Sequence, residues 1–308
     1  MKRLALLTGF CLCMGMFAGQ GQSAEKLAVV ASFSILADFA QEVGGSEVSV
    51  TSLVGPNGDA HVYEPTPADV QKVTEARVIV VNGLGLEGWL SRLLEASGSK
   101  AQVAEASRGV ETIAPAEGGH ETGEAAEEGH GGVDPHAFQD VSNAIIYVRN
   151  IAQAFCAAAV EACLSFQHNA DDYVARLEAL NAEVKAAVAR IPQDKRRIIT
   201  SHDAFGYFAH AYKVSFLAPE GISTDAEASA ADVAKLIEQI RNEKASALFV
   251  ENISDKRLIE QIARETGLKV SGILFSDALS PPDGSASTYV QMMQHNVRTI
   301  LEAINAGS

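Results

Sequence analysis

After its leading residues this sequence has no apolar run approaching the roughly 18 residues that a membrane-spanning helix needs, which argues against a helical integral membrane protein. Positive charge is scarce. Against 39 Asp and Glu stand 24 Lys and Arg, a formal net charge of −15, so the chain is a poor partner for nucleic acid. It reads as lacking an H-E-x-x-H helix, a nucleophile elbow and a phosphate-binding glycine motif, the marks of several hydrolase and nucleotide-enzyme classes. Cysteine is rare too: of four, only Cys156 and Cys163 lie beyond the leading segment.

That leading segment, residues 1–24, reads as a cleavable secretory signal. Lys2 and Arg3 form a positive start, Leu4–Phe17 is an apolar stretch too short to span a bilayer comfortably, and small polar residues follow up to a cleavage point near Ala24. Bulky Phe10 and Leu12 before Cys11 and Cys13 argue against lipid attachment. Removing the segment, with its two cations, takes the charge from −15 to −17 and leaves an exported chain of a size that suits two domains. In an oxidising compartment the pair Cys156 and Cys163 suggests a disulfide. Seven residues of unbroken helix would hold their Cα atoms roughly 10 Å apart, too far to bridge, so a disulfide requires the chain to turn between them. Two buried thiols are the alternative.

The rest alternates apolar strands with amphipathic helices. Lys26–Ser32, Val48–Val54 and Arg77–Asn82 read as strands, with helices over Ile35–Val43, from Pro67 (Thr66 as its cap) and over Leu86–Ala96, where Trp89 fits a helix–sheet contact. Helices are expected over Val141–Ala159 and Asn169–Arg190, the second long enough to be a rigid connector. The rhythm then resumes with strands Arg196–Ser201, Val214–Ala218, Ala247–Glu251 and Lys269–Ser276, and with helices Ala204–Tyr212, Ala230–Asn242, Lys256–Thr266 and Thr288–Asn305. Near-continuous β-branched strands imply parallel sheets covered on both faces. The predicted fold is therefore α/β: an N-terminal lobe over 25–165, a linking helix within 166–192 and a C-terminal lobe over 193–308. Residues 115–134 interrupt the first lobe. Six glycines, five glutamates and two histidines without a cation cannot form a core, and the segment reads as flexible.

Three histidines and an aspartate stand out. His61 follows the Val48–Val54 strand after a Gly/Pro/Asn turn, His202 follows Arg196–Ser201, Asp277 follows Lys269–Ser276, and His136 lies just beyond the flexible segment. Ligands of parallel α/β sheets bind outside the carboxyl ends of strands. Two candidates come from each half, which points to the cleft between lobes. Three imidazoles and one carboxylate suit a four-coordinate divalent metal such as zinc, with copper and nickel also open because both bind imidazole sites well, whereas calcium or magnesium wants more oxygens. Asp203 and Glu251 are candidates to hold a ligand's second ring nitrogen, with helix capping before Ala204 the alternative for Asp203. His210 reads as a packed or surface histidine, His168 and His295 as helix-surface residues, and Phe205, Tyr207 and Phe208 as core.

The stretches GDAHVYEPTPADV, DPHAFQDVSNA, TSHDAFGYFAHAY, LFVENISDKRL and SDALS, in this order, resemble the zinc-binding members of the TroA-like or ZnuA-like family, the cluster A-I solute-binding proteins of ABC transporters. The resemblance implies two α/β lobes bridged by one long rigid helix, one tight Zn2+ site per chain at His61, His136, His202 and Asp277, and no enzymatic activity. It also implies a periplasmic protein that hands metal to an ABC permease, with a zinc chaperone as a further partner; a monomer is expected. Manganese-type relatives usually carry Glu where His202 stands, so the preference for zinc over manganese hangs on that residue. The segment 115–134 resembles the family's His- and acid-rich loop, with His120 and His130 as auxiliary capture residues. A zinc hydrolase is the competing reading, disfavoured because Asp277 would close the shell to water. A surface adhesin on the same scaffold is a third.

Overall fold

The computed structural model describes residues 25–115, 132–243 and 245–306. The signal segment, His120 and His130 lie outside these. The first lobe opens with β1 (Leu27–Phe33), α1 (Ser34–Gly44) and β2 (Val48–Val54), then α2 (Pro67–Glu75), β3 (Val78–Val81), α3 (Leu90–Ser97) and β4 (Gln102–Glu105). Its sheet is wholly parallel, in the order β2-β1-β3-β4. Two long helices follow, α4 (Val141–Ala158) and α5 (Cys163–Ala189). The second lobe runs β5 (Arg197–Ile199), α6 (Gly206–Tyr212), β6 (Ser215–Leu217), α7 (Ala230–Glu243), β7 (Ala247–Glu251), α8 (Lys256–Thr266), β8 (Val270–Leu274) and α9 (Tyr289–Ala306). Its parallel sheet is ordered β6-β5-β7-β8, the same winding as the first, although no repeat is visible in the sequence.

At roughly 1.5 Å per residue, α5 is about 40 Å long and reaches across both lobes. Phe166, Ala170, Tyr173, Val174, Leu177, Leu180, Val184 and Val188, at helical spacing, bury one face of it. That face packs on α1 and α4 in one lobe and on α9 in the other. One apolar core therefore continues from Leu27 and Phe39 through α5 to Phe249, Tyr289 and Ile304. A second, small cluster (Ile199, Val233, Leu236, Ile240, Leu248, Ile259 and Ile262) lies under α7 and α8 on the far side of the second sheet.

Some elements differ from expectation. β4 is not anticipated: four residues with Gln and Glu at its ends and an exposed first half carry little strand signal, because it is an edge. α3 begins at Leu90 rather than Leu86, since Gly83, Leu84 and Gly85 all take positive φ and hold the chain in a turn. Trp89 is thus the residue that precedes α3, packed in the main core. It is buried, donates its indole N–H to Ala60 O at 2.7 Å and meets the Tyr63 ring edge-on. α5 starts six residues before the expected Asn169, and a 3-10 turn over Val160–Ala162 separates it from α4. That turn brings the Cα atoms of Cys156 and Cys163 to 4.4 Å, and the two are disulfide-bonded. α6 starts at Gly206, so Asp203 caps no helix.

Candidate metal centre

The carboxyl ends of the two sheets face one another, and the loops leaving them meet between the lobes. His61 comes from the loop after β2, His136 from the segment after β4, His202 from the third position beyond β5, and Asp277 from the third position beyond β8. One ligand atom from each lies within 4.8 Å of all the others. His61 Nε2 is 3.1 Å from His136 Nε2 and 3.3 Å from Asp277 Oδ2. The same oxygen is 3.6 Å from His136 Nε2 and 3.2 Å from His202 Nε2. A tetrahedral shell with bonds near 2.1 Å has edges of about 3.4 Å, so these four separations are close to those of donors that share one cation. Asp277 Oδ1 is fully buried without a hydrogen-bond partner, an orphaned anionic oxygen that a cation would satisfy.

Carboxylates behind two of the imidazoles fix their tautomers. Glu251, at the end of β7, places Oε2 2.6 Å from His202 Nδ1, while its Oε1 accepts the Ser201 and His202 backbone N–H groups at 2.7 and 2.9 Å. Asp134 places Oδ1 2.8 Å from His136 Nδ1 and also accepts the His136 backbone N–H at 2.9 Å. Each Nδ1 thus carries the proton and each Nε2 is turned to the centre. Of the two acids weighed from sequence, Glu251 takes this role and Asp203 does not. Asp134 was missed because it closes the segment read as flexible, yet it is buried, and Gly206 on the facing α6 lacks a Cβ where Asp134 Oδ2 approaches. The Asp-x-His spacing, present at both Asp59–His61 and Asp134–His136, is the signal that could have found it.

In the metal-free protein the centre is a buried cluster of charges. Burial pushes the His136 imidazole down, but Asp277 and Asp134 outweigh it and raise it to about 9. Burial likewise opposes protonation of His202, and Glu251 and Asp277 overcome it, leaving its pKa well above the usual range. Burial would raise Asp277, yet His136 and His202 hold it well below the normal carboxylate range. A cation must therefore displace protons to bind.

The lobes are also tied at this level. Gln139 donates its amide to Ser276 O at 2.7 Å, joining the His136 segment to the residue before Asp277. The Tyr289 hydroxyl donates to Phe138 O at 2.7 Å. Asn82 Nδ2 donates to Pro135 O at 2.9 Å and so holds the residue before His136. Of the other histidines, His168 is exposed beside Asp172 and His210 is exposed, as expected. His295 is instead half-buried against Phe275, within 3.1 Å of Ile273 O. Phe205, Tyr207 and Phe208 are core.

Contrary to the sequence reading, Gly83–Gly88 does have the G-x-G-x-x-G spacing of a phosphate loop, and it follows β3. Its anion is internal. Buried Glu87 accepts the Asn82 and Gly83 N–H groups at 2.6 and 3.3 Å and the Ser32 hydroxyl at 2.6 Å. The two amides that open this loop are thus taken up by the chain's own Glu87 side chain, whose burial raises its pKa.

Comparison with known proteins agrees with this geometry. Residues 29–303 match the sequence model of the ZnuA family, "Zinc-uptake complex component A periplasmic". The metal ABC transporter substrate-binding lipoprotein SloC of Streptococcus mutans is 32% identical over 312 residues, 99% of this chain and 100% of SloC. Among solved structures, the periplasmic zinc-binding protein TroA of Treponema pallidum superposes with a TM-score of 0.82 at 29% identity, covering 91% of this chain and 99% of TroA. The manganese-bound periplasmic metal-binding protein from Candidatus Liberibacter asiaticus gives 0.77 at 27% identity, covering 91% and 100%. Matched along nearly its whole length, the chain belongs to the ZnuA family: metal-binding, extracytoplasmic substrate-binding proteins that serve ABC permeases and are not enzymes.

Proposed function

We propose that this protein captures one Zn2+ per chain with His61, His136, His202 and Asp277 and delivers it to its permease. The observation that carries the ligand assignment is the convergence of the four donors, one atom of each within 4.8 Å of the others and four of the six separations at 3.1–3.6 Å, close to the edge of a tetrahedral shell around a small divalent ion. Three borderline imidazole nitrogens to one oxygen favour zinc over manganese, which is better served by a second carboxylate. Manganese is the second reading, favoured by the manganese-bound relative. We further assign residues 1–24 to the cleaved signal, 25–165 and 193–308 to the lobes and 166–192 to the linker, with the mature chain a periplasmic monomer. His120 and His130 are assigned to auxiliary capture from solution or from a chaperone. Deleting 117–132 is then expected to slow loading more than it changes equilibrium affinity.

The test is metal analysis of protein purified from the extracytoplasmic fraction, followed by competition between equal zinc and manganese under a chelator. One zinc per chain, retained against manganese, is the expected result. Manganese retained in the presence of zinc would overturn the zinc assignment and leave the ligand set standing. Unchanged affinity in His136→Ala or His202→Ala would overturn the ligand set.

A further inference from the structure

We propose that Thr224 is a positioning residue for the bound cation: through Asp59 it latches the loop carrying His61 to the opposite lobe and so sets the rate of metal release. The inference rests on the assignment of His61 as a ligand.

The two Asp-x-His pairs begin alike and end differently. In both, the aspartate Oδ1 accepts the backbone N–H of the histidine two residues on, at 2.8 Å for Asp59 and 2.9 Å for Asp134. Asp134 then turns the same oxygen to the His136 ring and fixes it. Asp59 does not reach its own histidine's ring. Its Oδ2 accepts the Thr224 hydroxyl at 2.6 Å, across the cleft. Among the described residues no carboxylate backs His61 Nδ1, and His61 alone of the four donors retains some exposure, 4% of its side chain. It is the donor with the least support from its own lobe.

Within its own lobe the loop is tied at Ala60, whose carbonyl accepts the Trp89 indole N–H at 2.7 Å, and two further ties run to the second lobe. Asn57, at φ 55°, donates its backbone N–H to Leu279 O at 2.9 Å and accepts from Asn252 Nδ2 at 3.1 Å through its own side chain. The His61 loop is thus shared between the lobes, held at Ala60 by the first and at Asn57 and Asp59 by the second. Asn57 joins the inner part of that lobe, whereas Thr224 lies on the irregular 218–229 segment between β6 and α7. A displacement of that segment breaks the Asp59–Thr224 bond and loosens His61, while His136, His202 and Asp277 keep their own supports. The ion would then leave by losing one imidazole first rather than by opening of the whole cleft.

The experiment measures zinc release into excess chelator by stopped flow from the full mature chain. Thr224→Val removes the hydroxyl with little change in shape. A hydrogen bond to a charged acceptor of this kind corresponds to an acceleration of about tenfold, with Thr224→Ser returning to within about twofold of the unaltered chain. In a His61→Ala background, loaded with excess zinc, Thr224→Val is expected to add nothing, because the latch acts only through His61. Equal release rates for Thr224→Val and the unaltered chain would overturn the proposal. So would the same acceleration with His61 present or absent. His136→Ala in parallel separates the two layers: if it held zinc normally, the ligand assignment would fall, whatever Thr224 did.

Discussion

The two lobes share one winding order and differ in how deeply they are buried. In the first, every residue of β3 is buried, and β1 lies against α1 within the main core. Edge strands are open in both lobes, β4 with Val103 at 42% exposure and β8 with Val270 and Ile273 at 40% and 51%, but β2 buries Val48, Leu53 and Val54 where its counterpart β6 is nowhere fully buried. The inner side of the second lobe, with Phe205, Phe208, Phe249 and Tyr289, belongs to the core shared through α5, but its outer side rests on the small cluster under α7 and α8. The ion's donors are divided equally between these unequal halves. The first lobe, α5 and α9 form a frame that carries His136, and the outer second lobe, on whose 218–229 segment the His61 loop leans through Thr224, is where movement costs least. A protein that must both grip and surrender its cargo needs such an asymmetry, because a uniformly rigid cleft would bind without releasing.

The sharpest way to break the comparison is to remove one donor from each lobe. His136→Ala and Asp277→Ala are each expected to weaken zinc binding by more than the roughly 10–100-fold typical of supporting residues. A much smaller loss for Asp277 would mean that the second lobe closes over the ion without binding it. Next come the supports themselves. Glu251→Gln and Asp134→Asn each fall in that roughly 10–100-fold range by isothermal titration. Glu251 is expected to show the larger loss, since it holds the His202 ring and two backbone amides, whereas Asp134 holds a ring and one amide.

His61, His202 and Asp277 could be picked out as candidates from sequence because each follows an apolar strand, where a parallel sheet puts its ligands, whereas His136 follows the Gly/Glu-rich run and had no such placement. The strands near the core could be read for the same reason: VSVTSLV and ALFVE coincide with β2 and β7. Boundaries failed where backbone conformation rather than apolar pattern decides, as at Gly83–Gly85 before α3. The supports were harder. Glu251 was weighed because it ends a strand, but Asp134 sits in a Gly/Glu-rich run whose composition argues against order, and only its pairing with His136 buries it. The bonds between lobes, such as Gln139 to Ser276, join residues 137 positions apart and leave no local pattern at all.

Proton competition offers a further sharpening. The His136 pKa of about 9 in the metal-free state lies above its ordinary 6.5, so its contribution to folding is fully present below pH 6.5 and is lost as pH rises through about 9. Zinc affinity moves the other way, since each proton displaced makes binding about tenfold tighter per pH unit across the same window. Calorimetric melting of the metal-free chain should therefore show a decline from this group between pH 6.5 and 9, while chelator competition shows affinity climbing. A flat affinity profile would mean that the free centre is not protonated. Hydrogen exchange then compares the lobes directly: amides of β5 and β6 are expected to exchange before those of their counterparts β1 and β2, and metal should narrow the gap. Equal protection in the metal-free chain would remove the proposed asymmetry.

The smallest effect on binding is expected at the far end of the first lobe. Cys156 and Cys163 join α4 to α5 seven residues apart in sequence, at the opposite end of α4 from His136. A loop this short, once closed, removes chain entropy from the unfolded state corresponding to about 2 kcal/mol. Replacing both cysteines by serine should lower the melting temperature of metal-free and loaded protein alike. Zinc affinity should stay within about twofold, because the main core continues from this turn along α5 and does not depend on the bond to hold its helices together. If affinity fell with stability instead, the frame would be softer than its burial implies, and the line between a fixed first lobe and a yielding second would have to be redrawn.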